Sequence, residues 1–567
     1  MHHRGTRSKT LVALLMALLL FAAACGNDDD GDAAAPGGDD DETTTTVEDA
    51  GDPVAGGQLV VGIEAETTGM RPWEDTCSAP CYNQMIAVYD KLFELTSDGE
   101  IGGWVAETIE SNDDLTEWTV TLRDGVEFSD GTPVTSDTIV QMFAVQQGGA
   151  VSSGVIGSAG LEAVEAVDES TVVYRLSAAN AGFPDTLTRA PIGMVFQPEA
   201  AAADPDSFNR SPIGTGPFTL VSWDRDNEMI LEKNPNYWQT DDDGNQLPYL
   251  DRLVFRPIPD EGTRLDSLLA GTIDAMQSLR QSTIRDALDA GGDITVHQFQ
   301  GSNSGGSIFN TAQAPVDDVR VRQALAHAVD REALIDVLGG TGISDPASQY
   351  FSTDSPWYSE AAAEAYPDFD QDLAKDLLQE YIDDPERSDG KSPGAPLDLQ
   401  FNCPPDPSLI QLSQAYKEFW EATGLISVTL NQFEQAAHIQ NAMSDEYMIN
   451  CWRVGDDGDP ATFLNPAFAD PETSPLNFTN YSNPEVQDLL NQAKETDDVE
   501  ERKQLYSDVM VILAEDVPNI YTGYTAMAIA TANDVAGLAS WTLPDGSDGT
   551  GISRAEGRYH QVFRTGG

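Results

Sequence analysis

Positive charge is scarce in this chain: 30 lysines and arginines, only eight of them lysine, stand against 95 acidic residues. A net charge of −65 leaves no basic patch for a phosphate backbone or an anionic lipid surface, so no nucleic-acid partner is expected. Histidine is almost as rare. The six, at 2, 3, 297, 327, 438 and 560, show no metal-ligand spacing. Aromatic residues make up 8%, but 40% hydrophobic content is enough for globular structure. A chain of 567 residues is too long for one core and implies two or three domains. No internal repeat is visible, and the one long apolar run, Leu11 to Phe21, is short for a membrane span.

That run follows the basic residues Arg4, Arg7 and Lys9 and precedes Ala22-Ala23-Ala24-Cys25. Residues 1–24 therefore read as a secretory signal peptide. The small triplet before Cys25 resembles a bacterial lipobox, although Ala22 stands where such boxes usually carry leucine. The resemblance implies lipidation of Cys25 as the mature N-terminus. Residues 25–56 then form a tether rich in Asp, Gly, Thr and Ala, with eleven acids between 26 and 52. Such a segment buries nothing and repels itself, as a spacer should.

The most telling stretch runs from Ser211 to Trp238, SPIGTGPFTLVSWDRDNEMILEKNPNYW. Gly214 and Gly216 suit positive φ in a turn, and Pro217 fixes the exit. Phe218 to Val221, a polar turn at Asp224–Asn227 and the return strand Met229–Leu231 give a β-hairpin. GTGPF, a hairpin and the ending Asn234-Pro235-Asn236-Tyr237-Trp238 together resemble the family 5 extracellular solute-binding proteins of ABC importers, the oligopeptide, dipeptide and nickel type. Residues 106–140 (AETIESNDDLTEWTVTLRDGVEFSDGTPVTSDTIV), LPYLD at 247–251, AGTID at 270–274 and VRQALAHAVDRE at 321–332 resemble it too, so the likeness spans about residues 57 to 565.

Elsewhere the pattern predicts strands at Gln58–Ile63, Trp118–Leu122, Thr171–Leu176 and Leu253–Pro257. Met85 to Leu95 has helical spacing, and Ser136 or Asp137 is expected to cap a helix. Thr263–Leu269 is expected to be helical. Pro315 to Leu338 reads as the clearest helix, capped by Asp317 and striped by Val321, Leu325, Val329 and Leu334. From Leu397 to Trp452 strands and helices alternate, which implies an α/β sheet. Helices at Pro484–Lys494 and Val499–Ala514 and a return strand from Asn519 to Ile529 follow.

Catalytic signatures are missing. GSNSG at 301–305 has Asn303 where an elbow nucleophile would stand. Gly390-Lys391-Ser392 mimics a P-loop end, but Pro385 holds the first glycine position. Asp241-Asp242-Asp243-Gly244-Asn245 lacks the alternate spacing of a calcium loop. Neither an enzyme, a cofactor nor a metal is expected. Four cysteines remain after Cys25, an even number that reads as disulfides in an exported protein. Cys77 and Cys81 lie four apart in one loop. Cys403 and Cys451 each end a predicted strand, and neighbouring parallel strands would bring those ends together.

The loop Cys451 to Leu464, CWRVGDDGDPATFL, leaves a strand at the carboxyl end, where ligands gather in open α/β sheets. It resembles the W…GDxxDP…FL segment of peptide-binding members, in which an aspartate contacts the ligand's α-ammonium. Asp456 matches that position, with Asp459-Pro460 as a structural pair. By the same analogy Trp452, Trp73, Tyr521 and Tyr524 line the cleft. An extended peptide would pair, strand-like, with the segment from Ser304 and Gly305 to Phe309.

The resemblance implies a two-lobed α/β periplasmic-binding-protein-like fold of type II with an extra subdomain and a hinge. Lobe I takes 57–103 and 210–305, the subdomain 104–209, lobe II 306–522, and residues 523–567 return to lobe I. It implies a monomeric lipoprotein, exported and anchored on the outer face of the cell membrane, extracellular or periplasmic. The protein would capture peptides and deliver them to ABC permease subunits. The alternative cargo is an oligosaccharide, an opine or a nickel chelate; a secreted hydrolase or a purely sensory receptor is more distant.

Overall fold

A computed structural model describes residues 53–75, 79–189, 191–454, 458–474, 476–553 and 556–565. The leader, Cys25, the tether to residue 52, Cys77 and Asp456 lie outside them, and so does the expected Cys77–Cys81 bridge.

The chain opens with strand β1 (Gln58–Ile63), buried from Leu59 onward. The run read as a helix from Met85 to Leu95 is not one. A helix covers Ala79–Ile86, and Phe93–Leu95 is strand β2, paired with β3 (Ile101–Gly103). Every residue from Asn83 to Phe93 is buried, polar Asp90 and Lys91 included, so the burial follows no helical period that could separate the two states.

Strands β4 (Ala106–Ser111), β5 (Glu117–Leu122), β6 (Leu161–Ala166) and β7 (Thr171–Leu176) make a separate antiparallel sheet in the order β4-β5-β7-β6. In β5 and β7 alternate residues are buried, among them Trp118, Val120, Val172 and Tyr174. The helix Ser136–Gln146 packs on this sheet and is capped by Thr135, whose hydroxyl trades bonds with Thr138. Thr135 thus takes the place expected of Ser136 or Asp137.

The expected hairpin is β8 (Phe218–Asp224) and β9 (Glu228–Lys233), turned through Asp226 at φ 61°. Gly214 and Gly216 before it do not adopt positive φ. They are required by closeness instead: a Cβ on Gly216 would lie 2.5 Å from the Val88 carbonyl carbon. Then come β10 (Arg252–Pro257), the helix Glu261–Leu269 capped by Asp260, and β11 (Ala275–Ser278). Strand β12 (Ile294–Phe309) has 16 residues. The long helix read over 315–338 is two, Val319–His327 and Arg331–Val337. Asp318 caps the first, and Asp330 interrupts the apolar stripe to cap the second.

Strands β13 (Leu397–Cys403), β14 (Ile426–Gln432), β15 (Ile449–Val454) and β16 (Asn519–Ala532) complete a ten-stranded sheet ordered β14-β13-β15-β12-β16-β11-β1-β10-β9-β8. Among the described residues only β12 and β16 run through both halves. Their far ends, Ile294–Gln300 against Ala526–Ala532, belong to lobe I. Gly306–Ile308 against Asn519–Tyr521 belongs to lobe II, Ser304 and Gly305 lie at the crossing between the two, and the register shifts between Gln300 and Ser304. One large apolar core gathers Leu59, Phe93, Trp104, Phe255 and the four-stranded subdomain sheet; the other gathers Phe309, Tyr381, Phe401, Trp420 and Tyr506. Two lobes with a subdomain on the first are therefore present.

Candidate functional site

Strand direction determines which surfaces oppose each other. β1, β10 and β11 run parallel and end at Ile63, Pro257 and Ser278, pointing toward lobe II. β13, β14 and β15 run parallel and end at Cys403, Gln432 and Val454, pointing toward lobe I. Two rows of carboxyl ends thus face one another across β12 and β16, the place where open α/β sheets collect ligands.

Contacts between the lobes include two sets at the facing strand ends. On one flank the Ala181 amide donates to the Lys494 carbonyl at 3.0 Å, and the Thr462 hydroxyl lies 3.1 Å from the Asp185 carboxylate. Asp185 also accepts from Arg189 Nε at 2.7 Å. Gly458 sits against this pair: a Cβ there would lie 1.6 Å from the Arg189 guanidinium, which would have to move aside. Asp459 next to it caps the helix Pro460–Phe468 through the Ala461 amide and receives Arg502 at 2.6 Å. On the other flank Arg280, two residues beyond β11, reaches Asp406 and Ser408 beyond β13. Burial opposes the Arg280 charge, but Asp406, then Glu261 and Glu64, outweigh it and hold its pKa above the ordinary value.

The residues singled out from the sequence separate into those on the cleft and those in the cores. Gly305 lies on β12 at the crossing; a Cβ there would meet nothing within 4 Å, so the backbone fronts open space. Ser304 beside it is fully buried and spends its hydroxyl on the Gly305 carbonyl. Trp452 is half-buried, its ring 5.2 Å from Phe478 and 5.8 Å from His438. Trp73 is not on the cleft: it packs at 4.4 Å on Phe196 and 5.5 Å on Phe208, and its carbonyl accepts from Val151 and Ser152. Tyr521 is likewise in a core, ringed by Tyr350 and Tyr366. Tyr524 donates its hydroxyl to the Phe351 carbonyl at 2.5 Å. Burial raises the pKa of both phenols, which stay neutral.

Strand pairing of a ligand with Ser304–Phe309 is also ruled out. β15 pairs with every residue of that segment and β16 pairs along its other edge through Ile308, so its backbone bonds are committed. Cys403 and Cys451 are joined, with Cα atoms 5.0 Å apart, and the parallel register Asn402↔Asn450 leads directly to them. Asp241, the first acid of the calcium-like run, accepts from the Asp243 and Asn245 amides, the Asn245 side chain and Tyr249; it closes a turn. Among the described residues no group of three or more acids, histidines or cysteines is placed to hold a metal.

Arg280, Asp406, Asp185 and Thr462 carried no motif and were not found from the sequence. The Asp406-Pro407 helix start was the one available signal, and it spoke only of capping.

Residues 100–475 match the model of bacterial extracellular solute-binding proteins, family 5 Middle. Heme-binding protein A of Haemophilus influenzae is 28% identical over 462 residues, 76% of this chain and 80% of that protein. The dipeptide-binding protein of Escherichia coli K12 is 26% identical over 493 residues, 82% of this chain and 87% of that one. The periplasmic binding protein DppA from Helicobacter pylori, solved with the peptide STSA, aligns with a TM-score of 0.73 at 23% identity. That alignment covers 90% of this chain and 99% of the other.

Proposed function

Because the chain belongs to the bacterial extracellular solute-binding proteins of family 5, we propose that it captures peptides between its lobes and presents them to the permease of an ABC importer. The observation that carries this reading is the pair of opposed strand ends, bridged on both flanks and crossed by β12 and β16. Closure about those strands is a hinge motion. Lobe I comprises 57–103, 210–305 and 523–567, the subdomain 104–209, and lobe II 306–522.

Asp456, between Val454 and Gly458 in the sequence, takes the peptide's α-ammonium through a charge-assisted bond. Gly305 leaves room for the ligand and Trp452 flanks it. The protein works as a monomer without catalysis or cofactor. Lipidated Cys25 holds it on the outer face of the membrane, and membrane fractionation of Cys25→Ser against wild type tests that anchor.

Native mass spectrometry of the purified protein should reveal a ladder of bound peptides. A single non-peptide compound would overturn the peptide reading and favour the alternative, a solute such as an oligosaccharide, an opine or a nickel chelate. Removing one member of a desolvated charge pair costs about 2–5 kcal/mol. Asp456→Asn is therefore expected to weaken peptide binding at least about tenfold. N-acetylation of the peptide should cost wild type as much and the variant little more. Asp457→Asn serves as the control. Equal calorimetric affinity for free and acetylated peptide would exclude the Asp456 assignment.

A further inference from the structure

Arg280 is fixed in lobe I by its main chain. Its amide donates to the Ser278 hydroxyl at 3.2 Å, and that hydroxyl is bonded in turn to Glu261. Its guanidinium leaves the lobe. Nη1 donates to Ser408 Oγ at 2.6 Å and Nη2 to Asp406 Oδ2 at 3.3 Å, both beyond β13 of lobe II. Asp406 divides its oxygens: Oδ1 caps the helix Pro407–Glu421 by accepting from the Ser408 and Leu409 amides, and Oδ2 meets Arg280. Behind the guanidinium stand two acids of lobe I, Glu261 Oε1 at 3.8 Å from Nε and Glu64 Oε1 at 4.0 Å from Nη2. Both are too long for hydrogen bonds and close enough for ionic attraction.

We infer that Arg280 is a positioning residue for lobe closure, a reversible latch whose Asp406 and Ser408 contacts exist only when the lobes are closed, while Glu64 and Glu261 stay beside it throughout. The inference rests on the solute-binding reading above, and three features of the contact support it. In the closed arrangement Arg280 is bonded to Asp406 and Ser408. When the lobes part, those bonds break, while Glu64 and Glu261 move with Arg280 and keep its charge compensated. The open state therefore strands no buried cation. The contact is also weak by construction. The guanidinium meets the positive end of a helix dipole, which opposes it, and the N-cap carboxylate reverses that field only locally. Both side chains remain about one-third exposed, at 35% and 36%, so water and salt screen the pair. A stronger contact would trap the empty protein shut.

The test needs no ligand, so its failure is separable from failure of the peptide reading. Small-angle scattering of the ligand-free full chain gives the ratio of closed to open forms. Arg280→Gln and Asp406→Asn should each lower that ratio about threefold to tenfold, and the double variant should go no further than either. Asparagine still caps a helix, so Asp406→Asn spares the fold. Arg280→Lys should keep part of the closed population, because it preserves the charge. Glu64→Gln should raise the ratio, because the open state, without Asp406, depends on Glu64 more than the closed state does. Raising salt from about 0.05 M to 1 M should open wild type but not Arg280→Gln. Additive losses in the double variant, or scattering unchanged in both singles, would overturn the inference. So would an empty wild type that is fully open at every salt concentration. Should a single variant melt early, Glu64→Gln and the salt response of wild type decide the matter.

Discussion

Thr462 and Asp185 lie 277 positions apart and on different lobes, yet the threonine hydroxyl is 3.1 Å from the aspartate carboxylate. The same hydroxyl is 2.7 Å from the Asp459 carbonyl, so one proton serves two acceptors. Asp185 is buried and already holds Arg189 and Thr188, so it survives the loss of this one donor. Thr462→Val keeps the shape and removes the donor. It should weaken ligand binding by about 0.5–1.5 kcal/mol, twofold to tenfold, with little change in melting temperature. Calorimetry with a bound peptide checks it, and unchanged affinity would mean this flank contributes nothing to closure.

Gly305 permits a sharper experiment, because its neighbour shows the opposite behaviour. A Cβ on Gly306 would lie 2.0 Å from the Ile520 carbonyl oxygen, whereas one on Gly305 meets nothing within 4 Å. Neither glycine has positive φ, so backbone strain is not at issue. Gly305→Val should fold with near-wild-type stability and bind ligand at least tenfold more weakly, because its side chain takes up cleft space. Gly306→Val should lose stability first. Equal melting losses in the two variants would refute the placement of Gly305 on the cleft.

The bridge between Cys403 and Cys451 closes a 48-residue separation and ties β13 to β15, the strand that carries Trp452. Chain entropy puts its contribution at about 4 kcal/mol. Non-reducing peptide mapping should recover these two cysteines linked, and the double alanine variant should melt well below wild type. Free thiols at both positions would contradict the arrangement.

How much of this could be read in advance depended on whether the signal was local. The β8–β9 hairpin was legible because its turn residues, Asp224 to Asn227, and its alternation sit within sixteen residues of each other. The parallel neighbours β13 and β15 were inferable from strand–helix alternation. Asp330 was not recognised as a break, because the apolar stripe on either side continues in phase through Leu325, Val329 and Leu334. Tyr521 and Tyr524 were expected on the cleft by analogy with the family. Side chains on a strand alternate between faces, however, and Tyr350, Tyr366 and the 345–351 segment, more than 150 residues upstream, cover theirs. Arg280 and Asp406, 126 positions apart, meet only because two separate sets of parallel strands end opposite each other. Nothing local announces a pairing of that kind.

Asp90 gives the last prediction. It is buried in lobe I, with its carboxylate accepting Trp238 Nε1 at 3.0 Å. Burial raises its pKa to about 7; the Trp238 bond and Arg558 act against the rise, and Glu94 adds to it. Tyr237 lies alongside, its phenol neutral, and buried His560 is held neutral with a pKa near 3. In the unfolded chain Asp90 should titrate near 3.9. Below that pH the group is protonated in both states and contributes nothing to pH dependence. Between about 4 and 7 the unfolded chain has released this proton and the native protein retains it, so stability must fall as pH rises. The slope approaches about 1.4 kcal/mol per pH unit, and the total reaches about 4 kcal/mol at pH 7. Asp90→Asn keeps an acceptor for Trp238 and cannot ionise. The variant should match wild type near pH 4 and exceed it increasingly toward pH 7, as read from urea unfolding at four pH values. Other carboxylates titrate alike in both proteins and cancel in the difference. A wild-type-to-variant gap that stays constant across that range would show that Asp90 does not hold its proton in the folded state.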